Sequence, residues 1–388
     1  MTGERAGGDA GVGDGAFDDE AVADDPLAVR VEKPRAEIAI ESLRAEGVYD
    51  DGRRVCEFDA ETIALPVTAP PTETRIREVI RQVDPEPRTR HLADALAERG
   101  WSDEEIGRAP GSWATIGSVA LVTIPDDCPD EAAVAEALLE LDGRAETVLA
   151  DEGVAGRLRE PQTRHLAGER DTETVHVEDG IRYGLDPARV MFSPGNQAER
   201  VRMGEVVDDG ERVFDMFAGI GYFTLPMARA GARVTATEIN PAAFRYLLEN
   251  AMANDVADRV DAYRADCRAV AGELDPVDRV VMGYYGSEGG GAGGDGGGGD
   301  RDDSPAPHDG HRTEEGHAFL PDALAALRSG GVVHYHEATP ESRYPERPLE
   351  RLERAVDREG RSMTVLDRRR VKTHSAGVVH VVVDVRVD

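Results

Sequence analysis

Lysine is nearly absent from this chain. Of 45 basic residues only Lys33 and Lys372 are lysines, against 77 acidic residues and a formal net charge of −32 over 388 positions. A body this acidic repels nucleic acid as a whole, so any RNA site must be a local arginine patch. The same composition keeps a protein soluble where salt screens self-repulsion, and it points to a halophilic protein. Cysteine is scarce too. Cys56, Cys128 and Cys267 are too few and too far apart for a disulfide framework or a zinc site. No run of about 18 apolar residues is present and the N-terminus carries no secretory pattern, so the expected location is the cytoplasm, away from membrane.

The length allows two or three domains. Residues 1–25 hold eight acidic residues and one arginine among small residues, the composition of a disordered acidic tail. Residues 26–87 read as a small α+β unit, with a strand at L-A-V-R-V, an amphipathic helix over 35–45 and strand-like alternation in V-C-E-F-D-A-E-T-I-A-L-P-V. Residues 88–184 read as an α+β region. They contain a helical pattern over 88–108, a strand pair over 113–124, a helix over 130–141 and strands at 145–149 and 172–183. Between those last strands, residues 157–170 carry four arginines and a histidine against two glutamates. That segment is either a solvated loop or a contact for RNA phosphate.

The centre of the chain is R-V-F-D-M-F-A-G-I-G-Y-F-T-L-P-M-A-R-A-G-A-R-V-T-A-T-E-I-N, residues 212–240. An apolar run ending at Phe217 predicts a buried parallel strand, Ala218 to Gly221 a tight turn, and residues 222–230 a helix closed by Gly231. A second strand over 232–237 delivers Glu238. Strand, glycine turn, helix and strand with a carboxylate is the plan of a nucleoside-binding α/β half. Gly219 and Gly221 admit a ligand close to the backbone, and Glu238 can accept two ribose hydroxyls. A dinucleotide site would place a third glycine where Thr224 stands, so the provision is for a single nucleoside. The D-x-F-A-G-x-G form resembles motif I of the class I S-adenosylmethionine-dependent transferases, which implies a Rossmann-like α/β domain over residues 185–388.

Further along, Asn240-Pro241 reads as a helix start, proline being at home in the first helical position. Residues 259–263 and 278–283 read as the third and fourth strands. Residues 286–317 form a low-complexity insert, with ten glycines between Gly286 and Asp300. His308, His311 and His317 sit in linker composition, which gives no reason to expect a metal. A helix over 318–327 and a fifth strand over 331–337 follow. There His334 and His336 share a face, in a structural or a catalytic role. A helix over 348–359 and strands over 362–366 and 376–387 complete the sheet. Arg368, Arg369, Arg370 and Lys372 read as a second basic patch joining those strands.

F-S-P-G-N-x-x-E-R-x-R at 192–202, D-M-F-A-G-I-G-Y-F-T-L-P, T-E-I-N-P, A-D-C-R, H-Y-H-E and the terminal A-G-V-V-H-V-V-V-D together resemble one tRNA-modifying family. It comprises the archaeal and eukaryotic tRNA guanine-37 N1-methyltransferases and their wybutosine-synthesis paralogues, which transfer the 3-amino-3-carboxypropyl group of S-adenosylmethionine to 4-demethylwyosine. The resemblance implies S-adenosylmethionine as group donor and the anticodon region of tRNA(Phe) as partner, with residues 88–184 as a tRNA-binding region. It also implies cofactor-binding roles for Ser193, Arg200, Phe217, Gly219, Gly221, Glu238 and Asp266. In those roles Ser193 and Arg200 hold the methionine moiety, Arg200 gripping its carboxylate bidentately; Glu238 holds the ribose and Asp266 the adenine amino group. The F-S-P-G-N segment and the absence of an asparagine–proline motif in Val280 to Ser287 match the paralogues, with Tyr284 and Tyr285 departing from their usual aliphatics. No catalytic acid or base is implied. The guanine-37 methyltransferase remains the alternative, followed by a non-catalytic RNA-binding protein with a vestigial cofactor fold.

Overall fold

The computed structural model describes residues 26–82, 91–284, 315–375 and 377–388; the acidic tail and almost all of the glycine-rich insert, with His308 and His311, lie outside the described residues. Two compact units are present, one ending at Trp101 and the other beginning at Ser102. The first contains an antiparallel sheet in the order Cys56–Glu57, Thr62–Pro66, Leu27–Glu32, Glu78–Arg81. Helix Ala36–Ala45 buries Ala39 and Leu43 against Val29, Val31 and Leu65 of that sheet.

Residues 102–184, set apart in the sequence, belong to the second unit. Its smaller sheet runs Trp113–Ile116, Val119–Val122, Thr147–Ala155, Glu160–Gly168, with helix Glu131–Leu141 capped by the Asp130 carboxylate. A hairpin, Thr174–Glu178 with Ile181–Leu185, then leads into the main sheet. Ile181, Tyr183 and Leu185 enter the same core as Val213, Ile220 and Leu247, and the Asn250 amide bonds both the N–H and the carbonyl of Gly184. Those buried contacts tie the hairpin to the core of the main sheet. The arginine-bearing segment 157–170 is the turn and return strand of a hairpin rather than a loop.

The main sheet has seven strands: β1 Arg212–Asp215, β2 Arg233–Thr237, β3 Val260–Tyr263, β4 Val277–Met282, β5 Leu327–Pro340, β6 Met363–Ser375 and β7 Val378–Val387. Their order is 3-2-1-4-5-7-6, parallel through β5 and antiparallel at β7 and β6. Alternation along β1 sends Val213 to one face and Phe214 to the other. Two cores therefore form, one around Ile220, Met227 and Leu247, the other around Met282, Leu320, Tyr335 and Val383. The covering helices are α1 Gln197–Glu205, α2 Thr224–Arg229, α3 Pro241–Ala253, α4 Cys267–Ala271, α5 Leu320–Ala326 and α6 Glu346–Arg358. Asn240 caps α3 through its side-chain oxygen, with Pro241 first in the helix, as the sequence predicts.

One expectation changes here. Arg368, Arg369, Arg370 and Lys372 do not join two strands; they lie inside β6, at the sheet edge. Charged side chains on an edge strand discourage pairing with another chain. Within this set Arg369 turns inward to Glu199 and Asp384, and Arg370 pairs with Glu341. His334 and His336 are buried. His334 bridges Arg279 (2.6 Å) and Asp384 (2.7 Å), and His336 meets His380 (3.0 Å). Among the described residues no helix is long and apolar enough to cross a membrane, and no cluster of His, Cys, Asp and Glu is disposed to hold a metal.

Candidate functional site

A cavity of about 540 Å³ opens at the carboxyl ends of β1, β2 and β4, where open α/β sheets bind ligands. Its floor is the turn after β1. Gly219 and Gly221 have φ of 57° and 105°, the left-handed side that favours glycine. A Cβ on Gly219 would stand 2.3 Å from the Tyr222 ring, and one on Gly221 would stand 2.7 Å from Leu225. Gly219 lines the cavity directly, whereas Gly221 shapes the turn behind it. Thr224, at the position a third glycine would take, donates its hydroxyl to the buried Asp215 carboxylate at 2.7 Å. Burial raises Asp215 to about 6 although Thr224 and backbone N–H groups act to lower it.

Glu238 follows β2 and is fixed at both oxygens: Gly219 N–H donates to one at 2.8 Å and Asn240 N–H to the other at 2.6 Å. Burial raises its pKa against those backbone donors. The carboxylate is anchored from behind, with lone pairs left for vicinal hydroxyls. Asp266, after β3, lines the cavity but is heavily engaged. It caps α4 through Arg268 N–H (3.0 Å), accepts the Arg268 guanidinium (2.9 and 2.7 Å) and pairs with Arg157. The hydrogen bonds from Arg268 come first in holding Asp266 below the usual carboxylate range. An adenine amino group would find this acceptor shared with two arginines.

Arg200 lines the cavity, but its guanidinium is already engaged. It is 3% exposed, and its Nε and Nη2 grip Glu178 bidentately at 2.6 and 2.8 Å. Nη1 donates to the Ser193 carbonyl at 2.9 Å and Nη2 also reaches the Pro194 carbonyl at 3.3 Å. The fork expected on a ligand carboxylate is thus closed on Glu178, and Arg200 braces the 193–196 turn that forms one cavity wall. Ser193 lines that wall, its hydroxyl accepting from the Lys372 ammonium at 2.5 Å. Phe217 stacks on Tyr284 (centroids 4.9 Å apart) and meets Phe319 edge-on (5.0 Å), making an aromatic end to the cavity.

The sequence reading missed Tyr284 and Phe319 as wall residues, and the roof. Arg157, Leu158 and Arg159 reach the cavity from the hairpin turn, tied down by Asn240 Nδ2 donating to the Leu158 carbonyl (3.1 Å) and by the Arg157–Asp266 pair. The arginine-rich pattern of the segment was legible, but its placement over a motif about 80 residues away was not.

The comparisons with known proteins bear on this geometry. The TRM5/TYW2 methyltransferase domain matches residues 174–288 and 311–366, and the TYW2 N-terminal domain matches residues 92–172. A Pyrococcus horikoshii protein named tRNA(Phe) (4-demethylwyosine(37)-C(7)) aminocarboxypropyltransferase is 38% identical over 287 residues, 74% of this chain and 92% of that one. The chain belongs to the TRM5/TYW2 family. A second relative, the tRNA (guanine(37)-N(1))-methyltransferase Trm5b of Pyrococcus abyssi, is 29% identical over 93% of this chain and 99% of its own. Among solved structures, P. horikoshii TYW2 in complex with MeSAdo superposes with a TM-score of 0.59 at 34% identity, covering 76% of this chain and 97% of that one. The Rossmann-like α/β reading of the transferase half holds, and the cavity is where that fold binds its nucleoside.

Proposed function

We propose that this chain transfers the 3-amino-3-carboxypropyl group of S-adenosylmethionine to C7 of 4-demethylwyosine at position 37 of tRNA(Phe), in wyosine-derivative biosynthesis. The observation that carries the reading is the 38% identity to an aminocarboxypropyltransferase spanning 92% of that enzyme, against 29% to the methyltransferase branch. The cofactor is a group donor. Its sulfonium bears three carbon substituents, and the one in line with the nucleophile leaves. C7 of the electron-rich tricycle attacks the γ-carbon of the methionine arm, the sulfur–carbon bond breaks, and its electron pair returns to sulfur as neutral methylthioadenosine. Loss of the C7 proton then restores the aromatic ring. Catalysis of this kind is mainly alignment, and no side chain of the cavity is assigned as acid or base.

The residues divide the work by position. Gly219, Gly221 and Glu238 hold the nucleoside, Phe217 and Asp266 bound its base, and Ser193 faces the methionine arm with Arg200 behind it. The acidic body leaves RNA to local arginines, and Arg157, Arg159, Arg164 and exposed Arg368 are the candidates to meet the anticodon region. Cytoplasmic placement and work in high salt belong to the same proposal.

The test uses S-adenosylmethionine labelled separately at its methyl and carboxyl carbons, with tRNA(Phe) carrying 4-demethylwyosine, in high salt. Carboxyl label in the tRNA without methyl label is the expected result. Methyl label on tRNA with unmodified guanine would overturn it in favour of the guanine-37 methyltransferase. Absence of S-adenosylmethionine binding would support a vestigial cofactor fold.

A further inference from the structure

Asp266 lines the cavity as the acceptor proposed for an adenine amino group, yet its carboxylate is already full. A carboxylate offers about four lone-pair sites. Arg268 fills three of them: its backbone N–H (3.0 Å) and Nε (2.9 Å) donate to Oδ1, and its Nη2 (2.7 Å) donates to Oδ2. The Arg157 guanidinium takes the fourth, on Oδ2. An adenine amino group can bind here only if one of these donors gives way.

The two arginines are not equally held. Arg268 reaches Asp266 through three bonds, one of which caps α4, and its guanidinium also lies over the Phe319 ring at 4.9 Å. Arg157 contributes a single bond from a side chain that is 66% exposed. An ion pair so exposed is worth little, and giving it up costs correspondingly little. The backbone beside it has no need to move, since Asn240 Nδ2 holds the Leu158 carbonyl at 3.1 Å. Swung outward, Arg157 faces solvent from the hairpin that also carries Arg164. There Arg164 is paired with Glu131 and Glu152, whereas a displaced Arg157 leaves its carboxylate behind and is available to an RNA phosphate.

We infer that Arg157 is a latch exchanged between the two substrates. Until the nucleoside arrives it occupies Asp266; the adenine amino group displaces it, and the released guanidinium turns to the RNA backbone. The inference rests on the donor and the adenine position proposed above. It goes beyond them, because it makes donor binding and RNA binding favour each other. Such coupling is reciprocal: the factor by which the nucleoside tightens RNA is the factor by which RNA tightens the nucleoside.

The test is calorimetric binding to the full-length protein of methylthioadenosine, which is uncharged, and of methylthioinosine, which carries an oxo group in place of the amino group. Arg157→Gln should tighten methylthioadenosine about two- to fivefold, the worth of an exposed ion pair, and should not tighten methylthioinosine. Rising salt screens the pair, so wild-type affinity for methylthioadenosine should approach that of Arg157→Gln. Arg157→Lys, which keeps the charge, should retain that salt dependence. The wild type should bind tRNA(Phe) more tightly with methylthioadenosine present, by a similar factor, and Arg157→Gln should lose the coupling. Equal tightening of both nucleosides by Arg157→Gln, unaltered affinity for both, or a coupling to RNA that survives the substitution would overturn the inference. Failure of the wild type to bind methylthioadenosine would sink the donor assignment and the latch with it. Methyl instead of carboxyl transfer by the wild type would sink the proposed reaction while leaving the latch standing.

Discussion

Replacing Arg200 with methionine separates a structural brace from a ligand grip. In the structure the guanidinium closes bidentately on Glu178 at 2.6 and 2.8 Å, with Arg200 3% and Glu178 8% exposed. Removing one partner of so buried a pair leaves a carboxylate with only His176 at 3.0 Å for compensation, at a cost of about 3–5 kcal/mol. For a unit of this size that lowers the melting temperature by roughly 6–20 °C. The double variant Arg200→Met, Glu178→Met removes both charges and should recover most of the loss, since apolar replacements of similar volume are often neutral. Thermal melts of the four proteins complete the cycle.

The pH dependence has a definite sign. Burial by itself raises Glu178, but His176 and Arg200 outweigh it and hold the carboxyl below its ordinary value of 4.5. A depressed carboxyl contributes stability that is complete above the unfolded-state pKa and lost as pH falls through the lower folded value. The wild-type advantage over Arg200→Met should therefore be full at neutral pH and shrink below about 4.5. A single variant that melts within a degree or two of wild type, yet loses S-adenosylmethionine while keeping methylthioadenosine, would refute the brace and return Arg200 to the donor's carboxylate.

Gly219→Ala forces a side chain into φ of 57° with its Cβ 2.3 Å from the Tyr222 ring, so both S-adenosylmethionine and methylthioadenosine should weaken by about tenfold or more in a binding titration. Glu238→Ala removes the acceptor anchored by Gly219 and Asn240 and should weaken the same two probes equally, by roughly ten- to hundredfold. Because burial raises Glu238, wild-type affinity should begin to fall with decreasing pH earlier than an ordinary carboxylate would predict. Asp215 has the opposite sign from Glu178: raised from 3.8 to about 6, it favours the protonated folded state, so its contribution is lost as pH climbs through about 6. Asp215→Asn, keeping an acceptor for Thr224, should gain little stability at acid pH and about 2–3 kcal/mol in mildly alkaline solution, read from denaturant melts at the two extremes.

What the sequence made legible follows from how far each signal reaches along the chain. The turn from Asp215 to Gly221 and the carboxylate at Glu238 are local: the glycines report backbone dihedrals at their own positions, and the strand period places Glu238 at a strand end. Asn240 and Pro241 announce a helix start by the same short-range chemistry. Arg200 was visible as a cation near the motif, but which carboxylate it serves depends on Glu178, 22 residues earlier in a hairpin that no local pattern ties to α1. The roof is harder still, since Leu158 reaches Asn240 across 82 residues. Lys372 illustrates the limit. Its run of basic residues reads as a surface patch, yet strand alternation turns Arg369 inward to Glu199, and beyond a register shift between Arg370 and Lys372 the lysine reaches Ser193, 179 residues away.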